Sequence, residues 1–254
     1  MKSSMKTYRD ALVQLVQGDF LKSHPTQSVD LIVTSPPYNL GMKYGKHNDE
    51  MTYEDYQAFT YRWLLKAKEW SHPRTRLCLN VPLDKNRFGH ESVYADVVSI
   101  AKQANWTYFT TIVWNEGTIS TRTAWGSWKS PSAPYIITPV EMIAVFYLDP
   151  ARAGWKIDRS SQTPDITGEE FLQWTNGLWT FNGENAKRIG HPAPFPLELP
   201  RRCIKFFTYP GARVLDPFVG SGTSLVACQQ LKRYGVGFEI DGRYVKGARK
   251  RLGL

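Results

Sequence analysis

The sequence predicts an α/β fold built around a mainly parallel sheet, and three observations carry that prediction. A β-branched run, Asp30–Thr34, stops at Ser35-Pro36-Pro37-Tyr38. Strand-like and helix-like segments then alternate through residue 114. Near the C-terminus a strand, a glycine loop, a helix and a second strand follow one another without a gap.

Asp30–Thr34 reads as a buried strand ended by two prolines, which lack the N–H that a ladder needs. Asn39–Thr52 is rich in Gly, Lys, Asn and Asp and reads as a mobile loop. Residues 53–70 place Tyr56, Phe59, Trp63, Leu64 and Ala67 at helical spacing. Leu77–Val81, Tyr108–Trp114 and Met142–Leu148 read as strands, and Val93–Ala104 as a helix. Residues 115–190 alternate Gly, Ser, Thr, Pro and Trp and show little helical periodicity apart from the strand near 140–148. A helix over Leu197–Phe207 precedes the strand Ala212–Phe218, the loop Val219–Thr223, the helix Ser224–Lys232 and the strand Val236–Ile240.

With 254 residues, 42% of them apolar, the chain has the material for one large domain or one domain with an insertion. That composition excludes a disordered chain. No run approaches the roughly 20 apolar residues of a membrane helix, since Glu141 breaks even Val140–Leu148. Met1–Asp10 is polar, without the apolar segment of a secretory signal. Cys78, Cys203 and Cys228 are too dispersed for a disulfide framework or a zinc cluster. The expectation is a soluble, cytoplasmic protein without a metal.

The net charge of +9 concentrates at the end: residues 191–254 carry 11 basic and 4 acidic side chains, whereas 115–190 carry 7 and 8. Arg243, Lys246, Arg249, Lys250 and Arg251 share much of one helical surface. Such an excess suits a polyanion, whose counterions Lys and Arg displace. The same cations also suit a solvated helix end facing its own dipole.

Two motifs carry chemistry. In the C-terminal unit, glycines let the backbone approach a ligand, and the next strand ends in an acid, Glu239, 19 residues after Gly220, placed to accept ribose hydroxyls. The loop lacks the Gly-Lys-Ser/Thr of a phosphate-gripping loop, which argues against ATP or GTP. A glycine-rich turn without a ligand is the plain alternative. In Thr34-Ser35-Pro36-Pro37-Tyr38, at the carboxyl edge of a parallel sheet, a hydroxyl, a stiff carbonyl and an aromatic face could hold a planar amine. Its plain alternative is a Pro-Pro turn that ends a strand.

TSPPY and DPFVGSGT together resemble the β-type DNA amino-methyltransferases, which transfer a methyl group from S-adenosylmethionine to an exocyclic base amine. The resemblance spans nearly the whole chain. It implies a Rossmann-like methyltransferase fold, with helices on both faces of the sheet and a circularly permuted motif order. It implies a catalytic set of Ser35, Pro36, Pro37 and Tyr38. For the cofactor it implies Asp19 and Phe20, then His191, Pro192 and Pro196 around the methionine end. Asp216, Pro217, Phe218, Gly220, Ser221, Gly222, Thr223 and Glu239 complete that set. It further implies one domain over 1–254, with a target-recognition region inserted at 115–190 and interrupted by the core strand near 140–148. Arg122, Trp125, Trp128, Lys129, Arg152, Trp155, Lys156 and Arg159 lie in that region, and Lys43 and Lys46 in the loop after the catalytic motif. Of these, Lys43, Lys46, Arg122, Trp125, Trp128 and Lys129 are the candidates for DNA contact.

The partner implied is double-stranded DNA, with a homodimer and a cognate restriction endonuclease compatible with the family and no membrane. The base would be flipped out, its amine protons accepted by Ser35 and the Pro36 carbonyl, its ring stacked on Tyr38. A covalent route through cysteine is disfavoured, because no cysteine follows a proline. Members with Ser in the first position are mostly N4-cytosine enzymes, so the resemblance implies N4-cytosine, with N6-adenine the alternative. An RNA or protein-amide N-methyltransferase and a non-catalytic DNA-binding relative are the remaining readings.

Overall fold

A computed structural model describes residues 5–38, 51–84, 91–117, 127, 129–134, 138–148, 162–184 and 196–254. They form a nine-stranded sheet: β1 (Lys6–Arg9), β2 (Val13–Gln17), β3 (Val29–Thr34), β4 (Ser71–Pro82), β5 (Thr107–Asn115), β6 (Val140–Tyr147), β7 (Leu178–Thr180), β8 (Arg213–Asp216) and β9 (Tyr234–Glu239). The helices are α1 (Tyr53–Glu69), α2 (Val93–Gln103), α3 (Gly168–Trp174), α4 (Glu198–Phe207), α5 (Thr223–Gln230) and α6 (Gly242–Leu252). The strand order is β1-β2-β9-β8-β3-β4-β6-β5-β7. From β2 to β4 every neighbouring pair is parallel. β1 at one end and β6 toward the other run antiparallel.

Both faces of the sheet are covered, which the side-chain alternation of the strands requires. Val16, Ile32, Leu77, Leu79 and Val81 pack on the face of α1 and α2. Leu15, Leu31, Val33 and Cys78 point the other way, toward α3 to α6. α1 begins where Thr52 accepts a hydrogen bond from the Asp55 N–H, places Glu54 and Asp55 in its first turn and ends with Lys66 and Lys68 in its last. α5 lies close on β9: a Cβ at Gly237 would stand 2.8 Å from Val219 Cγ2, so no larger residue fits without moving the loop ahead of α5.

The strands and helices expected from periodicity all form. The strand expected over Ala212–Phe218 ends at Asp216, because Pro217 stops it and the chain turns into the glycine loop. Four elements had no expectation: β1, β2, α3 and β7. The last two fall in the irregular middle of the chain. There Thr167 and Glu170 form a capping box, β7 joins the sheet edge beside β5, and Trp174 and Trp179 are buried. The guanidinium of Arg202 on α4 sits 4.8–5.5 Å from the rings of Trp174, Trp179 and Phe181, so aromatic–cation contact rather than periodicity fixes this segment.

Candidate active site

The parallel register brings the carboxyl ends of β2, β9, β8 and β3 to one rim, where open α/β sheets bind ligands. A cleft at that rim is lined by residues of both motifs: Ser35, Pro36, Pro37 and Tyr38 from the loop after β3, and Pro217, Phe218, Gly220 and Glu239 from the C-terminal unit. Asp19 and Phe20 line it too, beside Gly18. Asp19 also caps a short 3₁₀ turn by accepting the Leu21 N–H at 3.0 Å.

Glu239 is held from two sides. Its Oε1 accepts the Asp241 N–H at 2.7 Å and its Oε2 accepts the Gly220 N–H at 3.1 Å. Burial pushes its pKa up to about 7 against those two donors. Glu239 itself lines the cleft, beside Phe20, Phe218, Phe238, Ile240 and Tyr244. A carboxylate between apolar and aromatic walls fits a nucleoside: hydroxyls for the acid, a flat base for the rings.

Asp216, Ser221, Gly222 and Thr223 stand one layer behind the cleft. Asp216 is 1% exposed, and its carboxylate accepts from Thr34 Oγ1 at 2.7 Å, Ser224 Oγ at 2.5 Å and the Phe218 N–H at 3.0 Å. Burial raises its pKa to about 6. Ser221 and Thr223 are engaged by Arg251 of α6, which donates to Ser221 O (2.9 Å), Ser221 Oγ (3.0 Å) and Thr223 Oγ1 (3.1 Å). Gly222 has φ +85°, and a Cβ there would sit 3.1 Å from Ala248 Cβ. Pro196 accepts the Leu199 N–H at the start of α4 and does not line the cleft.

Behind the loop that follows β3 lies a polar network. Ser35 Oγ is 2.5 Å from Tyr38 Oη, and Tyr38 Oη is 3.1 Å from Glu141 Oε2 on β6. Asn80 on β4 donates through Nδ2 to Tyr38 Oη at 3.0 Å and to Glu141 Oε2 at 2.5 Å. Burial lifts the pKa of Glu141 to about 7, helped by Glu116 and opposed by Asn80 and Tyr38. Sequence reasoning passed over Asn80, Glu141 and the wall residues Phe59, Ile240 and Tyr244. For the first two a signal existed, since each is a polar interruption of an apolar strand run.

His191 and Pro192 lie outside the described residues, as do Lys43, Lys46, Arg122, Trp125 and Trp128. The same holds for the stretch 39–50 and for Arg152, Trp155, Lys156 and Arg159. Lys129 is described: it is exposed, in a turn, with φ +53°. Of the C-terminal cations, Arg243 pairs with Asp241, Arg249 covers the Tyr8 ring at 4.1 Å and Arg251 turns toward the glycine loop. Arg249 and Arg251 are thus engaged within the fold, whereas Arg243, Lys246 and Lys250 stay exposed. Among the described residues no group of three or more His, Cys, Asp or Glu could hold a metal ion, and no helix is long and apolar enough to cross a membrane.

The family model for DNA methylases of the N6/N4 type matches residues 29–250. Type II methyltransferase M.MjaVI of Methanocaldococcus jannaschii is 52% identical over 178 residues, 70% of this chain and 89% of that protein. Type II methyltransferase M.HpaI of Haemophilus parainfluenzae is 30% identical over 238 residues, 91% of this chain and 70% of that protein. Among solved structures, a Thermus thermophilus protein provisionally assigned as a DNA modification methylase, complexed with S-adenosyl-L-methionine, superposes with a TM-score of 0.71. It is 27% identical, with 93% of this chain and 91% of that one covered. A family match over most of the chain, on a fold whose two motifs line one cleft, settles the family: the chain belongs to the N6/N4 DNA amino-methyltransferases, which use S-adenosylmethionine.

Proposed function

We propose that the chain is a site-specific DNA methyltransferase that methylates the exocyclic N4 of cytosine after flipping the base out of the duplex. One observation carries the reading: Ser35, Pro36 and Tyr38 line the same cleft as Glu239. A nucleoside held by Glu239 thus stands beside a base held by the catalytic loop, and proximity is most of what such a displacement needs. S-adenosylmethionine, when bound, supplies the activated methyl group.

Glu239 accepts the ribose hydroxyls and Asp19 lies at the adenine end, while Phe20, Phe218 and Tyr244 exclude water. Ser35 Oγ and the Pro36 carbonyl accept the two amine protons, which turns nitrogen lone-pair density out of the base ring and toward the methyl. Pro37 stiffens the loop, and Tyr38 offers its ring to the base. Asp216, Ser221, Gly222 and Thr223 shape the glycine loop from behind. Pro192 and Pro196, with His191, belong to the methionine end by resemblance. Lys43, Lys46, Arg122, Trp125, Trp128 and Lys129 remain the candidates for DNA contact, within a target-recognition region spread over 115–190. The type II relatives support a place beside a restriction endonuclease, and so in the cytoplasm with DNA.

Ser rather than Asp at position 35 supports cytosine. The test is nucleoside analysis and long-read sequencing of genomic DNA from cells expressing the chain. N4-methylcytosine at one sequence motif is expected. N6-methyladenine instead overturns the base assignment, and unmodified DNA overturns the activity.

A further inference from the structure

We propose that Glu141 is the terminal proton acceptor for the reacting base amine, reached from Ser35 through the Tyr38 hydroxyl and held in register by Asn80. The inference rests on the reading of Ser35 as an acceptor for that amine.

The geometry permits an outward direction. Both Nδ2 protons of Asn80 are committed, one to Tyr38 Oη and one to Glu141 Oε2. Tyr38 Oη receives from Asn80, and either hydroxyl of the Ser35–Tyr38 pair, 2.5 Å apart, can donate to the other; with Ser35 donating, the Tyr38 proton is left for Glu141 Oε2 at 3.1 Å. A second acceptor for that proton, the Asn80 backbone carbonyl, stands at the longer distance of 3.2 Å. The result is an unbroken path from a side chain lining the cleft to a carboxylate behind it.

The chemistry needs such a path. As the amine nitrogen bonds the transferred methyl carbon, the carbon–sulfur bond breaks and its electron pair goes to sulfur. The nitrogen then carries a positive charge and must lose one proton. Ser35 Oγ takes that proton and releases its own to Tyr38 Oη, which releases its own to Glu141 Oε2. Serine and tyrosine end neutral, Glu141 ends protonated, and the base ends as its neutral methylamino form. Neither hydroxyl could keep the proton alone, whereas a carboxylate titrating near the working pH can.

Among the described residues, the titratable groups that act on Glu141 are Tyr38, from the loop after β3, and Glu116, at the end of β5; Asn80 on β4 is neutral. Burial is the largest influence and, with Glu116, places the carboxyl at about 7.

The experiment is single-turnover methyl transfer at saturating S-adenosylmethionine, on a duplex carrying the site found by modified-base sequencing. Saturation keeps the titration of Glu239 out of the profile. For the wild type we expect a rate that drops roughly tenfold from pH 8 to pH 6 and a solvent isotope effect. Glu141→Gln should slow transfer by about 100-fold, flatten that profile and remove the isotope effect, with cofactor affinity unchanged. Glu141→Asp, which keeps an acid, should retain the profile at a reduced rate and guards against a folding defect in the glutamine variant. On the free protein, carbon-13 NMR of labelled glutamate should show Glu141 titrating near 7 and moving upward in Tyr38→Phe, which removes a stabilising donor. A Glu141→Gln enzyme with the wild-type rate and profile, beside a slow Ser35→Ala enzyme, overturns the relay and leaves the amine grip standing. A Ser35→Ala enzyme at the wild-type rate overturns the grip itself.

Discussion

Thr34 Oγ1 donates to Asp216 Oδ1 at 2.7 Å, joining the last residue of β3 to the last residue of β8 across 182 positions of sequence. The Ser35–Tyr38 loop leaves the sheet from the first of these residues and the glycine loop from the second. One buried hydrogen bond thus sets the spacing between the two halves of the cleft, and Ser224 and the Phe218 amide complete the shell around the same carboxylate.

Thr34→Val keeps the side-chain shape and removes one donor, so it should cost about 1–2 kcal/mol of stability. The loss should depend on pH. Asp216 titrates at about 6 in the fold, above its ordinary value, so stability is highest when it is protonated and declines as pH rises through that value. Thr34 opposes the upward shift, and its removal should therefore hurt more at pH 8 than at pH 5. Urea melts at the two pH values decide this, and equal losses at both would count against Asp216 as the ionised partner.

Glu239, read as the cofactor's acid, should make cofactor affinity a function of pH. On the proposed reading ribose hydroxyls would donate to the ionised carboxylate, which is the minor form below about 7 in the free protein. Binding of S-adenosylmethionine should tighten as pH rises from 6 to 8 and release protons at the acid end. Glu239→Ala should weaken binding by about 1–3 kcal/mol at pH 8 and flatten the dependence. Calorimetry in buffers of different ionisation enthalpy reads both effects. Unchanged affinity in the folded variant would remove Glu239 from the site.

The central strands, the helices between them and both motifs were legible because each is a local pattern: an apolar run, a helical spacing, a glycine loop. What the sequence concealed depends on distant partners. β1 and β2 are short, half-polar strands that exist because β9 offers an edge. Trp174 and Trp179 look like surface aromatics in an irregular stretch until Arg202 covers them. The same reason separates Glu239 from Asp216. Both are acids ending strands of one motif, yet only the fold shows that Asp216 faces Thr34 and Ser224 rather than the cleft. Glu141 was visible as the charge that breaks an apolar strand, but its meaning waits on Tyr38, 103 positions away.

The glycine loop should depend on the C-terminal helix. Gly222→Ala would place a methyl against Ala248 at a backbone angle that L-residues avoid, costing about 1–3 kcal/mol. Arg251→Ala removes three hydrogen bonds to the loop and should weaken cofactor binding several-fold with only a small drop in melting temperature. Melting curves with and without S-adenosylmethionine separate the two effects. A cofactor-induced shift of wild-type size in Arg251→Ala would show that the loop holds its shape unaided.

The ring and the hydroxyl of Tyr38 should do different work. The ring lines the cleft, while the hydroxyl reaches Ser35, Asn80 and Glu141, and the residue is only 7% exposed. Tyr38→Phe keeps the aromatic face on which the proposed mechanism would stack a flipped base, so duplex affinity should stay near wild type, with about 1 kcal/mol of stability lost at the network. Its methyl-transfer rate should fall, because Ser35 no longer connects to the carboxylate behind it. Tyr38→Ala loses the face as well. It should weaken binding of cognate DNA by about 1–3 kcal/mol and, as a large-to-small change at a buried site, destabilise the fold by about 3–5 kcal/mol. Cofactor affinity should hold in both variants, since Glu239 stands on β9 and not on this loop. Fluorescence titration with cognate duplex, run beside single-turnover rates, tells the roles apart. If Tyr38→Phe loses as much duplex affinity as Tyr38→Ala, the hydroxyl rather than the ring is what the DNA meets, and the stacking role falls.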